Sequence, residues 1–376
     1  MLAGYAVMVE NSRGRRIAEP RHAYRNDFQR DRDRVLHARA FRRLENKTQV
    51  FTGRYSDHFR NRLTHTIEVQ QISRTIAAAL DLNVDLTEAL ALVHDIGHPP
   101  FGHAGEKALD TAMRKHGEYF DHNLHALRIV EDFELRYIAF RGLNLTFEVR
   151  EGIIKHSHDY TQAEHPELAE YLLDQRPPLE AQLIDLTDEI AYTTADMDDG
   201  FESRILDIEP LRKIAIFERF YRDVEAQHPT ARRKLKFNET LKRIFDRLVT
   251  DLIENTRHRI ANSGVRSLEE VRKFPERLAA FSPEVDAERA EAKAFLYKNL
   301  YFSAALQAEK VDAELIVGGL FGHFMTHPES LPPSYQDKEK IDSRARVVCD
   351  YIAGMTDNFI QRSYERLLSD EAPSEE

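Results

Sequence analysis

Ala89-Leu-Ala-Leu-Val-His-Asp-Ile-Gly-His-Pro-Pro-Phe-Gly-His103 is the stretch on which the fold turns. Ala89 to Val93 is an unbroken apolar run that belongs in a core. It ends in the dipeptide His94-Asp95, and Gly97 and Pro99-Pro100 then break the helix between two further histidines, His98 and His103. Neighbours on a helix point about 100° apart, which suits two ligands approaching one cation from a single turn. An imidazole and a carboxylate at a buried helix end are costly unless paired or bound to a metal. Taken alone, the stretch reads equally well as a capped core helix with a satisfied histidine.

The flanking sequence is helical in both directions. Over residues 60–81, Val69, Ile72, Ile76 and Leu80 fall at the +3/+4 spacing of one buried face. Four residues further back that face reaches His65. Asn83 to Asp85 makes a short turn, Thr87 is a cap, and two antiparallel neighbours so connected bring their faces together. Downstream, helices are expected over Gly105–Met113, His122–Phe133, Thr146–His156, Leu168–Leu173 and Leu179–Asp199. The last is unusual. Asp185, Asp188, Tyr192, Asp196 and Asp199 recur at +3/+4 beside an apolar stripe of Leu183, Ile184, Ala191 and Ala195. Carboxylates so spaced repel by a few tenths of a kcal/mol per pair, so the stripe faces either water or cations.

Beyond residue 205 the pattern stays helical, over Leu241–Asn262, Leu268–Lys273, Ala287–Phe302, Val311–Met325 and Asp342–Leu368. Short β-ribbons are expected only near 50–55 and 142–147. Residues 1–20 read as a mobile arm, Asp27–Gln49 as a charged helix with Val35, Leu36, Ala40, Phe41 and Leu44 inward, and Ser369–Glu376 as a disordered acidic tail. The fold class is therefore all-α. An N-terminal arm and first helix occupy 1–45, a helical core 46–205, and a long helical C-terminal extension 206–376.

Hydrophobic residues make up 42% of the 376, enough for a sizeable core. A single cysteine, Cys349, permits no intrachain disulfide and fits a reducing compartment. No basic start with an apolar run follows Met1, and no stretch approaches ~18 apolar residues. Neither a signal peptide nor a membrane span is expected, and the localisation expected is cytoplasmic. The formal charge of -11 disfavours non-specific nucleic-acid binding as the main task. Arginine is nevertheless concentrated between Arg13 and Arg43, and a second basic stretch runs from Arg232 to Lys236. Such runs are either solvated helix faces or contacts to a polyanion.

His65, His94-Asp95 and Asp188 form a set of two histidines and two carboxylates on three helices. Imidazole and carboxylate suit Mn, Fe, Zn, Ni or Mg, and such an ion polarises a phosphoryl group and lowers the pKa of attacking water. No Ser-His-Asp or Cys-His arrangement and no P-loop competes.

The ordered pattern His65…His94-Asp95…Asp188 resembles the HD-domain metal-dependent phosphohydrolase superfamily. Longer strings narrow the likeness: Lys47-Thr-Gln-Val-Phe51, Asn61-Arg-Leu-Thr-His65, the His94–Glu106 stretch, Phe120-Asp-His-Asn123 and Asp188-Glu-Ile-Ala-Tyr192. Asp198-Asp-Gly200, Phe295-Leu-Tyr297 and Asp350-Tyr-Ile-Ala-Gly-Met-Thr-Asp357 add to them. Together they resemble the bacterial deoxyguanosine triphosphate triphosphohydrolase (dGTPase)-like branch, over about residues 20 to 365. The resemblance implies hydrolysis of a dNTP, dGTP the favoured case, to deoxynucleoside and inorganic tripolyphosphate, with water attacking the α-phosphorus. It makes His65, His94, Asp95 and Asp188 metal ligands, with Mn2+, Mg2+ or another transition metal (Fe, Ni or Zn) as the ion. His103 and Glu106 match the catalytic His/Glu pair, and His122 is a second acid/base group. His98, His122 and Arg62 match phosphate contacts. Gln49 and Val50 match positions around the sugar, Tyr192 the aromatic that packs under the deoxyribose, and Asp196 a sugar contact.

Two positions depart from the branch's pattern. Leu124-His125 follows Asn123 where a small residue and Gln are more usual, and position 189 is Glu where vertebrate relatives carry a phosphate-binding Lys. The β/γ-phosphate clamp is thus unassigned, with Lys234, Lys236 and Lys298 as candidates. The resemblance also implies a homo-oligomer, tetramer or hexamer, and leaves open an activating nucleotide and single-stranded DNA binding by the arginine-rich arm. The competing readings are an HD-type 5′-nucleotidase or phosphodiesterase, and a nucleotide- or DNA-binding regulator.

Overall fold

The computed structural model describes residues 1–50 and 58–368, and their regular elements are all helical. Helices run in the order α1 (Asp27–Leu36), α2 (Arg39–Arg43), α3 (Arg62–Ala79), α4 (Val84–Val93), α5 (Gly102–Arg114), α6 (His122–Arg128), α7 (Phe147–Lys155), α8 (Leu179–Glu202) and α9 (Ile208–Leu211). There follow α10 (Ala215–Gln227), α11 (Arg233–Ser263), α12 (Leu268–Lys273), α13 (Pro283–Leu296), α14 (Ala304–Thr326), α15 (Pro333–Gln336), α16 (Arg344–Ala353) and α17 (Asp357–Leu368). No strand forms among the described residues. The ribbon expected near 142–147 is reduced to isolated bridges, Leu135 with Gly142 and Thr146 with Arg15. The one expected near 50–55 lies almost wholly outside the described residues.

Several expected boundaries move. The charged helix over Asp27–Gln49 is two helices and a 3-10 turn, and the stretch Asp342–Leu368 is two helices interrupted at Gly354-Met355-Thr356. Leu168–Leu173 is a 3-10 turn over Pro166–Tyr171. The buried face of α3 is as the periodicity requires, with His65, Val69, Ile72, Ile76 and Leu80 all enclosed.

The chain divides into two compact units. The first comprises residues 1–35, 65–93 and 144–303, and the second 36–64, 94–143 and 304–376. The cuts fall between Thr64 and His65 and between Val93 and His94, beside the residues singled out above.

In the first unit α8 packs with α4, α7 and α11. Gly152 on α7 allows the closest approach, since a Cβ there would stand 2.1 Å from Leu90 Cδ2 on α4. Residues 1–16 are not a mobile arm. The Val7 N–H donates to Glu180 Oε1 at 3.0 Å, and Ser12 Oγ and the Arg13 N–H donate to Glu148 at 2.7 and 2.8 Å. Arg15 Nη1 donates to Asp31 Oδ1 at 2.5 Å. Buried carboxylates require donors, and the N-terminal segment supplies them, so it is held in place although its composition is that of a loop.

The second unit is built on α5, α14, α16 and α17. Leu109 and Met113, Val317, Leu320 and Phe324, Val348 and Ile352, and Ile360 form its core. No helix among the described residues is long and apolar enough to cross a membrane.

Candidate metal and phosphate site

Helices α3 and α8 of the first unit bring His65 and Asp188 together: Nε2 lies 2.7 Å from Oδ1. The register is set deeper in the same pair of helices, where the Ser73 and Thr187 hydroxyls meet at 2.7 Å in the core. The carboxylate stripe of α8 is only partly open to water, with Asp185 and Asp188 half-buried. Asp196 and Asp199 are buried, and Asp196 accepts a hydrogen bond from the Tyr301 hydroxyl. Asp185, three residues before Asp188, is pushed up to about 6 by burial and by the charges of Asp188 and Glu189.

Glu189 faces cations, as a carboxylate in that place must. It pairs with Arg289 and, at 2.8 Å, with Lys293, both from α13, and accepts the Tyr192 hydroxyl at 2.5 Å. Tyr192 is thereby held, and burial with the adjacent carboxylate drives its phenol far above the usual range. Of the candidate clamp lysines, Lys234 pairs with Asp198 and Glu202, Lys236 approaches Glu225, and Lys298 is exposed. Arg289 and Lys293 escaped the sequence reading, although their i, i+4 spacing on a charged helix was available as a signal.

The second unit holds a dense array. Arg62 Nη1 donates to Asp95 Oδ2 at 2.9 Å, while Asp95 Oδ1 lies 3.0 Å from His98 Nδ1 and 3.6 Å from His94 Nε2. Burial works to raise the Asp95 carboxyl, but Arg62, His98 and His94 outweigh it and hold it well below the carboxylate range. His98 is pushed down to about 3 by burial and by Arg62, so its imidazole is neutral. Its ring stacks on that of His122, centroids 4.0 Å apart. The stack is possible because residue 97 is glycine: a Cβ there would stand 2.0 Å from the His122 carbonyl oxygen.

Glu106 is shared between His122 and His103. His122 Nδ1 lies 2.7 Å from Oε1, and His103 Nδ1 is 3.6 Å from Oε2. The pairing expected for His103 is thus the looser of the two, because His103 starts α5 with its side chain 85% exposed. His122 follows the α6 cap Asp121 and is largely enclosed. Burial lowers the His122 pKa and Glu106 raises it, with the net shift upward. Glu106 itself is lowered by its two histidine neighbours against the effect of burial. Gln49 and Val50 are half-buried, and the Gln49 carbonyl passes 3.4 Å from where a Cβ on Gly102 would be.

A family model of the HD domain matches residues 62–193, and one described as a phosphohydrolase-associated domain matches 279–366. The deoxyguanosinetriphosphate triphosphohydrolase-like protein of Thiobacillus denitrificans is 46% identical over 98% of this chain and 97% of its own length. The similarly named proteins of Azoarcus sp. and Geobacter sulfurreducens are 47% and 43% identical, over 98% of this chain and 97% and 95% of theirs. The chain belongs to the HD-domain, deoxyguanosinetriphosphate triphosphohydrolase-like family. It is accordingly an all-α metal-dependent phosphohydrolase.

An HD-domain phosphohydrolase needs a metal centre, and the donors of this chain fit one. Two cis ligands about 2.1 Å from an ion stand about 3 Å apart, close to the 2.7 Å between His65 Nε2 and Asp188 Oδ1. Imidazole with carboxylate is a donor set for Mn, Fe, Ni, Zn or Mg.

Proposed function

We propose that the chain is a deoxynucleoside triphosphate triphosphohydrolase, dGTP the favoured substrate, releasing deoxynucleoside and inorganic tripolyphosphate after water attacks the α-phosphorus. The Arg62–Asp95–His98–His122–Glu106 array carries this reading, supported by near full-length likeness to proteins named for that reaction. The proposed metal ligands are His65, His94, Asp95 and Asp188. When bound, a divalent ion supplies Lewis-acid activation of a phosphoryl oxygen and of water.

The side chains divide the remaining work. His122 gives its Nδ1 proton to Glu106 in a hydrogen bond, which leaves Nε2–H to protonate the departing 5′-oxygen as the phosphorus–oxygen bond breaks. His103, on the open side of Glu106, takes the proton of the attacking water. Arg62 donates hydrogen bonds to phosphate oxygens from the guanidinium N–H groups not spent on Asp95, where fixed donors act most strongly on developing charge, and His98, whose one N–H faces Asp95, lies against the phosphate as a neutral ring. Gln49, Val50, Tyr192 and Asp196 contact the sugar, and a close aromatic surface excludes a 2′-hydroxyl.

Product analysis tests the proposal. Purified protein is incubated with each dNTP and with GTP, in Mn2+ or Mg2+, and the products are resolved by chromatography. Deoxynucleoside plus tripolyphosphate, lost in His94→Ala, is the expected result. Monophosphate or orthophosphate would move the chain to the nucleotidase or phosphodiesterase reading. Turnover only with a second dNTP present would reveal an activating nucleotide, and silence in every mixture would favour a nucleotide-binding regulator.

A further inference from the structure

Lys47 is buried, and its ammonium group is spent on main chain. Nζ donates to the carbonyl oxygens of His98 at 2.5 Å and Ala353 at 3.0 Å. Its own carbonyl accepts the Arg62 N–H at 3.1 Å, at the first residue of α3. The next residue, Thr48, gives its N–H (2.8 Å) and its hydroxyl to Asp357 Oδ2. The other oxygen of Asp357 accepts the Phe101 N–H at 3.0 Å. Lys47 therefore sits on the carbonyl of the last residue of α16, and Asp357 is itself the first residue of α17, where a carboxylate suits the helix end.

The two side chains bracket one short loop. Lys47 holds it at His98 and Asp357 holds it at Phe101, and between them lie Pro99 and Pro100. Phe101 has φ +62° and Gly102 φ +55°, and a non-glycine residue keeps the left-handed conformation only where its surroundings impose it. Two ionisable side chains buried on main-chain and hydroxyl partners are a poor way to gain stability, since burying such groups is costly. Their distinctive effect here is to fix the backbone from which His98 and His103 project.

We propose that Lys47 and Asp357 are positioning residues that brace the His98–His103 loop. Through it they set the phosphate-facing histidines, and they tie the C-terminal segment 353–357 into the catalytic array. The catalytic consequence rests on the triphosphohydrolase reading, whereas the bracing itself does not. Neither side chain is assigned to touch substrate.

The test uses full-length, metal-loaded protein carrying Lys47→Met, which keeps the aliphatic stem, or Asp357→Asn, which keeps the shape. Hydrogen–deuterium exchange over residues 98–103 should rise about tenfold or more in each variant, with the rest of the chain and the bound metal unchanged. For dGTP, kcat should fall about 10–100-fold with KM within about threefold, since misplacement by about 1 Å costs that order of rate. The double variant should fall no further than the worse single one, because both act on one loop. Wild-type exchange over 98–103 in both variants would overturn the proposal, as would wild-type kcat in an active enzyme. So would an exchange gain spread across α5, α14 and α16, which would make the pair a holder of the core. Should wild-type protein turn over no dNTP, the functional reading fails while the exchange result still decides the brace.

Discussion

Glu106 was readable in the sequence as the partner of His103, three residues before it, yet its closer partner is His122, sixteen residues after it. The carboxylate raises the pKa of His122, so the acid form dominates below that pKa and is lost as pH rises through it. If protonated His122 serves the leaving oxygen, kcat declines along that limb. Glu106→Gln removes the charge, moves the decline to lower pH and lowers kcat by about 100-fold. A pH profile of kcat for both proteins checks this, and an unmoved limb would remove His122 from the acid's role. Arg62 illustrates the same lesson: the family resemblance makes it a candidate phosphate contact, but only the fold brings Asp95 to its Nη1.

At the scale of elements, the reading rests on periodicity and its failures follow from what periodicity lacks. The apolar stripe of α3 located His65 on a buried face because a helix repeats every 3.6 residues. The same rule ran one helix through Asp342–Leu368, where Gly354-Met355-Thr356 breaks it. Close approach of helices is likewise invisible in a pattern. Gly152 is an unremarked position in α7, yet a methyl group there would overlap Leu90 on α4 and touch Ala181 on α8. Gly152→Ala should lower stability by about 1–3 kcal/mol through overpacking, read from the urea midpoint, although alanine favours helix. An unchanged midpoint would mean that Leu90 moves aside freely.

Over the whole molecule, much of the arginine-rich run is met by carboxylates of the same chain. Arg15, Arg16, Arg25, Arg30, Arg32 and Arg34, which as a run suggested a polyanion partner, are each paired with a carboxylate. Removing residues 1–16 strips donors from Glu180, Glu148 and Asp31, whose pKa values burial already raises. At about 1–3 kcal/mol for each buried group left unsatisfied, the truncated chain should lose several kcal/mol in denaturant titrations. Retained stability would return the segment to the status of a loose arm. Lys47 adds a pH signature. Burial, Arg43 and Arg62 push it down to about 7 in the folded chain, against the pull of Asp357 and Asp95. Between about pH 7 and 10.5 the unfolded chain holds the proton that the folded chain has shed, so stability rises with pH by up to about 1.4 kcal/mol per unit. Urea unfolding at pH 7, 8 and 9 should show this component in wild type and lose it in Lys47→Met.

By itself the sequence determined the helical class, the buried face of α3, the HD dipeptide at the end of an apolar helix, and the family. All of these are local, written in spacing, composition or contiguous strings. The tertiary structure alone decided which carboxylate serves which histidine, that the N-terminal segment is anchored, that Glu189 gathers Arg289 and Lys293, and that Lys47 and Asp357 grip one loop. Those pairings join residues as much as 309 positions apart. The physical reason is that burial makes every charge and every polar hydrogen find a partner, while nothing in a linear pattern says which of many distant partners folding will bring within 3 Å.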